Sequence, residues 1–111
     1  MQSIHRGNVY YVEHTNSTGS EQRGGRPAVV VSNDLANRFS PVIQVVFLTT
    51  RNKKNLPTHV PVINRGRNNT ALCEQITSVD ISRLGSFEGR LTPEEMRRID
   101  RGLSISLGIV K

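Results

Sequence analysis

Short apolar runs alternate with polar segments along most of the chain, and this pattern predicts strands rather than helices. The runs are rich in Val, Ile and Tyr and are bounded by Gly, Pro, Asn or Ser. Strands are predicted at 9–12, 28–32, 42–49, 59–62, 70–75 and 84–90, with 76–81 continuing or following the fifth. The run 42–49 is the most apolar and is expected to be central, whereas Pro61 confines its strand to an edge or a strand end.

Two helical segments are also predicted. Asn33 or Asp34 can cap a short turn over 35–38 that ends at Ser40 and Pro41. Near the C-terminus, Thr92 is a predicted cap, Pro93 takes the first helical position and Glu95 completes a capping box. Apolar residues then recur at steps of three or four along one face, at Met96, Ile99, Leu103, Leu107 and Val110.

Several short strands followed by one helix predict a mainly β fold with α, a small curled antiparallel sheet or partly open barrel on which the helix packs. The length of 111 residues suits one domain. No run of roughly eighteen apolar residues is present, and the N-terminus lacks an apolar signal region. We therefore expect a cytoplasmic protein with no membrane span.

Positive charge is concentrated in one part of the chain. The net charge is +6, and residues 23–67 carry eight basic side chains against one acidic side chain, Asp34. Such a concentration is typical of polyanion binding, because phosphate contacts release counterions and steer encounter. A basic surface that serves only solubility is the alternative. The aromatic residues are too few for a base-stacking platform.

A polar, glycine-rich segment, GSEQRGGRP at 19–27, precedes the predicted strand 28–32. Glycine lacks Cβ and lets backbone approach a ligand closely. Arg26 is expected where this loop meets the strand, a suitable place for a cation that must contact a phosphate. A plain connection with a solvated arginine is the alternative, since the spacing matches neither a P-loop nor GxGxxG.

Cysteine and histidine usage gives no sign of a metal or redox centre. Cys73 is the only cysteine, and its strand position favours a small core hydrophobe over a nucleophile. His5, His14 and His59 are scattered, so each is interpreted as a surface or packing residue rather than a ligand. We expect no metal and no other cofactor.

Five sequence blocks follow one another along the chain: RGNVY at 6–10, GSEQ and GRPAVV within 19–30, ND and NRFSP within 33–41, LPTHV at 56–60 and EQI at 74–76. In this order they resemble the MazF/PemK family of toxin endoribonucleases. The blocks are spread over nearly the whole chain. The resemblance implies one domain over residues 1–111 with an SH3-like barrel and a C-terminal helix.

The resemblance also implies an activity and partners. It implies a homodimer that cleaves single-stranded RNA at a short sequence without a metal, leaving a 2′,3′-cyclic phosphate and a 5′-hydroxyl. It further implies a MazE-like antitoxin whose disordered tail blocks the RNA groove.

Matching position by position, the family's catalytic arginine falls on Arg26 and its catalytic threonine on Thr49. The loop glutamate falls on Glu21, and the glutamine of the EQ pair, which lies near RNA in relatives, falls on Gln75. Further RNA contacts are expected at Ser20, Gln22, Arg23, Thr50, Arg51, Lys53, Lys54, Leu56, Pro57 and Ser78.

Several of these roles have alternatives. Glu21 is either a general base, an RNA-positioning group or a solvated carboxylate. Gln75 either reads a base edge or is an outward polar strand residue, and the basic loop 51–55 either contacts phosphates or is solvated. Arg23 adds a cation where relatives often have a small residue, and the aspartate and histidine used by part of the family have no clear counterpart.

Two other classes of protein fit parts of the pattern. A non-catalytic barrel toxin that binds a protein such as DNA gyrase would not need Arg26 and Thr49 together. A simple nucleic-acid-binding module would bind RNA in a salt-sensitive way and release no fragments.

Overall fold

Six antiparallel strands form one sheet. The computed structural model describes residues 3–13, 25–51 and 53–109. The strands are β1 Asn8–Glu13, β2 Gly25–Val30, β3 Val42–Thr49, β4 His59–Asn64, β5 Arg67–Asp80 and β6 Leu84–Arg90. Their order across the sheet is β4-β5-β3-β2-β1-β6, and all neighbours pair antiparallel.

The sheet curls until its two edge strands meet. Asn64 on β4 donates a side-chain hydrogen bond to Glu88 on β6 at 3.0 Å, although these strands lie at opposite edges. This side-chain contact bridges the two edges of a curled, partly open barrel, in which β4 and β6 are not paired through their backbones in the described residues. The mainly β class with a C-terminal helix is confirmed, as are the central position of β3 and the edge position of β4.

Two helices complete the fold. Helix α1 spans Asp34–Phe39 and is capped by Asn33, whose side chain accepts from the N–H of Ala36 at 2.8 Å. Helix α2 spans Pro93–Ser106, and a 3-10 turn at Ile81–Arg83 separates β5 from β6. No helix in the described part of the chain has the length and apolarity needed to cross a membrane.

The predicted second strand was displaced along the chain. It begins at Gly25 rather than at residue 28, because glycine lets the backbone close on β1: an added Cβ would lie 2.0 Å from the carbonyl oxygen of Val12. It ends at Val30 because the next two N–H groups, of Val31 and Ser32, both donate to the carbonyl of Gln44. Arg26 therefore lies within the strand.

The connection between β4 and β5 is a tight turn. It contains only Arg65 and Gly66, which have positive φ angles of 54° and 77°, as in a two-residue type I′ hairpin. Strand β5 begins directly afterwards and runs without interruption to Asp80. The apolar face predicted for the terminal helix was too long, because Leu107 follows α2 and is 61% exposed, while Val110 lies outside the described residues.

Alternate residues of the sheet divide between two cores. The helix-side core packs beneath α2 and contains Val9, Val29, Val46, Leu48, Val60, Val62, Ala71, Cys73, Leu91 and Ile99. The opposite core contains Tyr10, Val12, Ala28, Val30, Ile43, Val45, Phe47 and Val79. Helix α2 approaches closely because residue 102 is glycine; an added Cβ would lie 2.9 Å from the sulfur of Cys73.

Cys73 is a core residue, as predicted. It has no solvent exposure, and burial raises the pKa of its thiol to about 12. The thiolate is the nucleophilic form of cysteine, so this side chain is inert in the folded protein.

Glu95 joins α2 to the edge of the sheet. One carboxylate oxygen accepts from the N–H of Thr92 at 2.8 Å, and the other accepts from the N–H of Ile63 on β4 at 2.7 Å. The hydroxyl of Thr92 accepts from the N–H of Glu95 at 3.1 Å, which completes the predicted capping box. Burial opposes the charge, but these hydrogen bonds outweigh it, so the pKa of Glu95 is lowered.

Replacing Glu95 with glutamine is expected to lower the free energy of unfolding by about 2 kcal/mol near neutral pH. An amide NH2 would then face a backbone N–H donor, and a buried hydrogen bond to a charged acceptor would be lost. Because the folded-state pKa is lowered, the wild-type advantage is present above the unfolded value of about 4.3 and disappears as pH falls through the folded value. Denaturant unfolding across acid pH measures this difference.

Glu94→Gln is the matched control, since Glu94 is exposed and its pairs with Arg97 and Arg98 lie at the surface. We expect that variant to leave stability almost unchanged, because exposed ion pairs contribute little. Equal effects of the two variants would contradict the bridging role of Glu95.

Candidate active site

Arg26 and Thr49 lie at the same end of the sheet. Strands β2 and β3 pair in the register Ala28 to Phe47, Val29 to Val46 and Val30 to Val45. Arg26 precedes this paired stretch on β2 by two residues and Thr49 follows it on β3 by two residues, so both lie beyond the same end of the ladder. Both residues line one pocket, so the structure brings together the two residues on which the predicted chemistry depends.

The backbone and the side chain of Arg26 are both held. Its backbone pairs with Val12 on β1, and its guanidinium carbon lies 5.3 Å from the centroid of the Phe47 ring. The ring is buried, only 8% exposed, and its face attracts the cation. Within the described part of the chain no carboxylate forms an ion pair with Arg26, so its planar set of N–H donors can serve an anionic ligand.

Thr49 ends the longest apolar strand and is only 7% exposed. Its hydroxyl oxygen accepts from the backbone N–H of Arg51 at 3.2 Å. An accepting hydroxyl can still donate its own hydrogen. Thr49 can therefore offer one oriented donor beside the guanidinium of Arg26.

The pocket around this pair is open, strongly basic and about 590 Å³ in volume. Besides Arg26 and Thr49 it is lined by Tyr11, Pro27, Leu48, Thr50, Arg51, Asn64, Arg65, Arg67, Asn69 and Glu88. Among the described residues that line the pocket there are four arginines and one carboxylate, so a polyanion is the ligand that this charge favours.

Several pocket residues were not predicted from sequence. Arg65 and Arg67 come from the β4–β5 hairpin, whose two-residue turn carries them to the end of β3. Nothing in the sequence between the predicted strands 59–62 and 70–75 indicated that these arginines share a pocket with Arg26, because that placement depends on how the strands pair. Tyr11 is fixed by the N–H of Gly25, which donates to its hydroxyl at 2.7 Å; no sequence signal indicated Tyr11 or Glu88.

The other predicted residues are divided between three places. Thr50 and Arg51 line the pocket with Arg26. Segment 53–58 carries the exposed residues Lys53, Lys54, Leu56 and Pro57. The exposed residues Gln75 and Ser78 lie on β5. None of these six residues lines the pocket. The side chain of Ser78 accepts from Gln44 at 3.2 Å. Glu21, with Ser20, Gln22 and Arg23, lies outside the described residues.

Metal-binding side chains are also dispersed. Across residues 3–13, 25–51 and 53–109 no group of three or more His, Cys, Asp and Glu is placed to hold a metal ion.

Comparison with known proteins defines the class. Residues 5–107 match the family described as PemK-like, MazF-like toxin of type II toxin-antitoxin system. Endoribonuclease EndoA of Bacillus subtilis strain 168 is 38% identical, over 96% of this chain and 97% of that protein. The chain therefore belongs to the PemK-like, MazF-like toxin family.

Solved structures agree with this assignment. An endoribonuclease from a mycobacterial species, in complex with its cognate antitoxin, is 27% identical with a TM-score of 0.81, over 96% of this chain and 97% of that one. A MazE-MazF structure from Deinococcus radiodurans has the same fold, with a TM-score of 0.84, 24% identity and coverage of 99% of this chain and 100% of that one.

Proposed function

We propose that this chain, as a single toxin domain, is a metal-independent endoribonuclease that cleaves single-stranded mRNA at a short recognition sequence. The observation that carries the proposal is the placement of Arg26 and Thr49 in one basic pocket. Membership of the toxin family supports it, as does the 38% identity to a protein named an endoribonuclease.

The proposed reaction uses the RNA's own nucleophile. The 2′-oxygen forms a bond to phosphorus while the bond from phosphorus to the 5′-oxygen breaks. The 2′-hydroxyl gives up its proton and the leaving 5′-oxygen gains one, so the products are a 2′,3′-cyclic phosphate and a 5′-hydroxyl. Negative charge builds on the non-bridging oxygens in between.

Arg26 is assigned to that developing charge. Its fork of N–H donors can make paired hydrogen bonds to two phosphate oxygens, and its fixed position means that little reorganisation is needed during the reaction. Thr49 is assigned to hold the phosphate or the 2′-hydroxyl in line by one hydrogen bond. Glu21 stays the candidate general base, with a positioning role as its alternative.

The rest of the basic surface is assigned to RNA binding. The arginines around the pocket, Arg51, Arg65 and Arg67, would contact phosphates next to the cut linkage. Lys53 and Lys54 would continue the contact beyond the pocket, with Leu56 and Pro57 against the bases and Gln75 and Ser78 further along. Such phosphate contacts position RNA without reading its sequence.

Partners follow from the same proposal. Two of the similar structures are described as complexes with antitoxins, one as MazE-MazF and one with a cognate antitoxin. We assign this chain a MazE-like antitoxin that covers the basic groove, a homodimeric state and a cytoplasmic location, where mRNA is found.

The double variant Arg65→Ala, Arg67→Ala lacks both cations of the hairpin. It is expected to bind RNA more weakly, and its affinity should depend less steeply on salt concentration. Each phosphate contact to a single strand contributes about 0.7 to the slope of log K against log salt, so the slope should fall by about 1.4. Titration of a fluorescent single-stranded RNA at several salt concentrations measures it. Arg97→Ala with Arg101→Ala on α2 removes the same charge elsewhere, and an equal loss in that variant would contradict a local contact.

The proposal is tested by incubating the purified protein with a long single-stranded RNA in EDTA and mapping the ends. We expect cuts at one short sequence, with 2′,3′-cyclic phosphate and 5′-hydroxyl ends, suppressed by a MazE-like antitoxin. Intact RNA that is nevertheless bound would favour a simple binding module. Intact RNA without binding would favour a toxin that acts on a protein.

A further inference from the structure

His59, the first residue of β4, links the basic segment 53–58 to strand β5. Its side chain is only 8% exposed. The Nδ1 atom lies 2.6 Å from the carbonyl oxygen of Lys54, and the Nε2 atom lies 2.9 Å from a carboxylate oxygen of Glu74. The other oxygen of Glu74 accepts from the hydroxyl of Thr58 at 2.9 Å. Both ends of the ring are thus occupied.

Both partners of the ring are acceptors. A neutral imidazole has one N–H and one lone pair, whereas the imidazolium has two N–H donors. A neutral ring would therefore point a lone pair at either the carbonyl of Lys54 or the carboxylate of Glu74. Only the protonated ring makes both hydrogen bonds at once.

The charges around the ring favour the proton. Burial opposes it, but the hydrogen bonds with Glu74 and with the carbonyl of Lys54 outweigh burial, so the pKa of His59 is raised above its ordinary value. Lys53, in the same segment, acts in the opposite direction. A further acidic residue, Asp100 of α2, adds negative charge near Cys73, the residue before Glu74. Asp100 forms its own ion pair with Arg6.

We infer that the His59 imidazolium is a positioning residue, which fixes segment 53–58 against β5 so that RNA binding by this segment weakens when the ring loses its proton. The RNA part of this inference rests on the proposed function, whereas the link between segment and strand does not. The link is complete below about pH 6.5, the ordinary pKa of histidine, as long as Glu74 is ionised, and the lowered pKa of Glu74 extends that range towards acid pH. It is lost as pH rises through the raised pKa of His59 in the folded protein.

The first test is a proton NMR titration of the histidine ring signals in the free protein, with His59→Gln used to assign the signal. The pKa of His59 should lie above the ordinary histidine value of about 6.5, and Glu74→Gln should lower it. A pKa for His59 at or below the ordinary value, or one unchanged by Glu74→Gln, would overturn the inference. RNA cleavage plays no part in this test.

The second test measures what the link does. Hydrogen exchange in segment 53–58, corrected for intrinsic rates and referenced to β3, should rise roughly tenfold when pH passes the His59 pKa, as expected for loss of one charge-assisted hydrogen bond. His59→Gln should show the fast exchange at both pH values, and His5→Gln should behave as wild type. Exchange that is independent of pH in the wild type would overturn the inference.

If the wild type cleaves RNA, His59→Gln should raise KM severalfold with little change in kcat, and KM of the wild type should rise over the same pH range. An unchanged KM, with the exchange effect present, would refute the RNA part alone. If the wild type cleaves no RNA, the proposed function fails while the first two measurements still decide the link.

Discussion

Arg26→Ala is expected to slow RNA cleavage by roughly 10²- to 10³-fold, the usual cost of removing one preorganised donor to developing charge. The loss should fall on kcat more than on RNA affinity, because several other cations are proposed to contact the RNA backbone. Single-turnover cleavage of a short RNA containing one cut site measures the chemical step directly.

Two further variants serve as controls for this result. Arg26→Lys keeps the charge but loses the planar fork, so it should recover only a small part of the rate. Arg97→Ala removes an equal charge from an exposed position on α2 and should cleave at the wild-type rate. An Arg26→Ala protein that cuts as fast as wild type would remove the proposed active centre.

Ile99→Ala is expected to lower the free energy of unfolding by roughly 2–5 kcal/mol. Ile99 has no solvent exposure and lies in the helix-side core, where α2 packs on the sheet. Gly102 already brings the helix close to Cys73, so the surroundings have little freedom to fill the space left by the lost atoms. Denaturant unfolding followed by circular dichroism gives the change.

Ile109→Ala is the control for this prediction, since Ile109 is 72% exposed and its truncation should change stability by less than roughly 0.5 kcal/mol. A loss below about 1 kcal/mol for Ile99→Ala would mean that the docking of α2 contributes little to the fold.

The sequence predicted correctly those helices and strands whose ends are set by residues close to them in the chain. The run of β3 spans the predicted residues, because its last five residues, 45–49, are buried on both faces of the sheet and all but Thr49 are apolar. The cap at Asn33 and the box formed by Thr92 and Glu95 are also confirmed, since each is made within one turn of helix. These features need no knowledge of the rest of the fold.

Features that depend on distant contacts were not predicted. The early start of β2 depends on the approach of Gly25 to Val12, and the second bond of Glu95 depends on Ile63 of an edge strand. The same holds for the pocket. Arg65 reaches it through a turn that only the pairing of β4 with β5 defines. The sequence therefore indicated Arg26 by its position between loop and strand, and Arg26 and Thr49 by resemblance, but it did not indicate that the β4–β5 hairpin lines the same pocket.

His59 illustrates this limit. As an isolated histidine it was interpreted as a surface or packing residue, and nothing near it in sequence indicates a partner. Glu74 lies on the adjacent strand, where only the register of β4 and β5 brings the two together.

The central claim, that Arg26 and Thr49 act on one phosphate, is tested most directly by a double-mutant cycle. Single-turnover rates would be measured for wild type, Arg26→Ala, Thr49→Ala and the double variant. Residues that act as a unit are strongly non-additive, so the double variant should be hardly slower than the slower single variant. A double variant whose loss equals the product of the two single losses would show that the residues act independently and would contradict the claim.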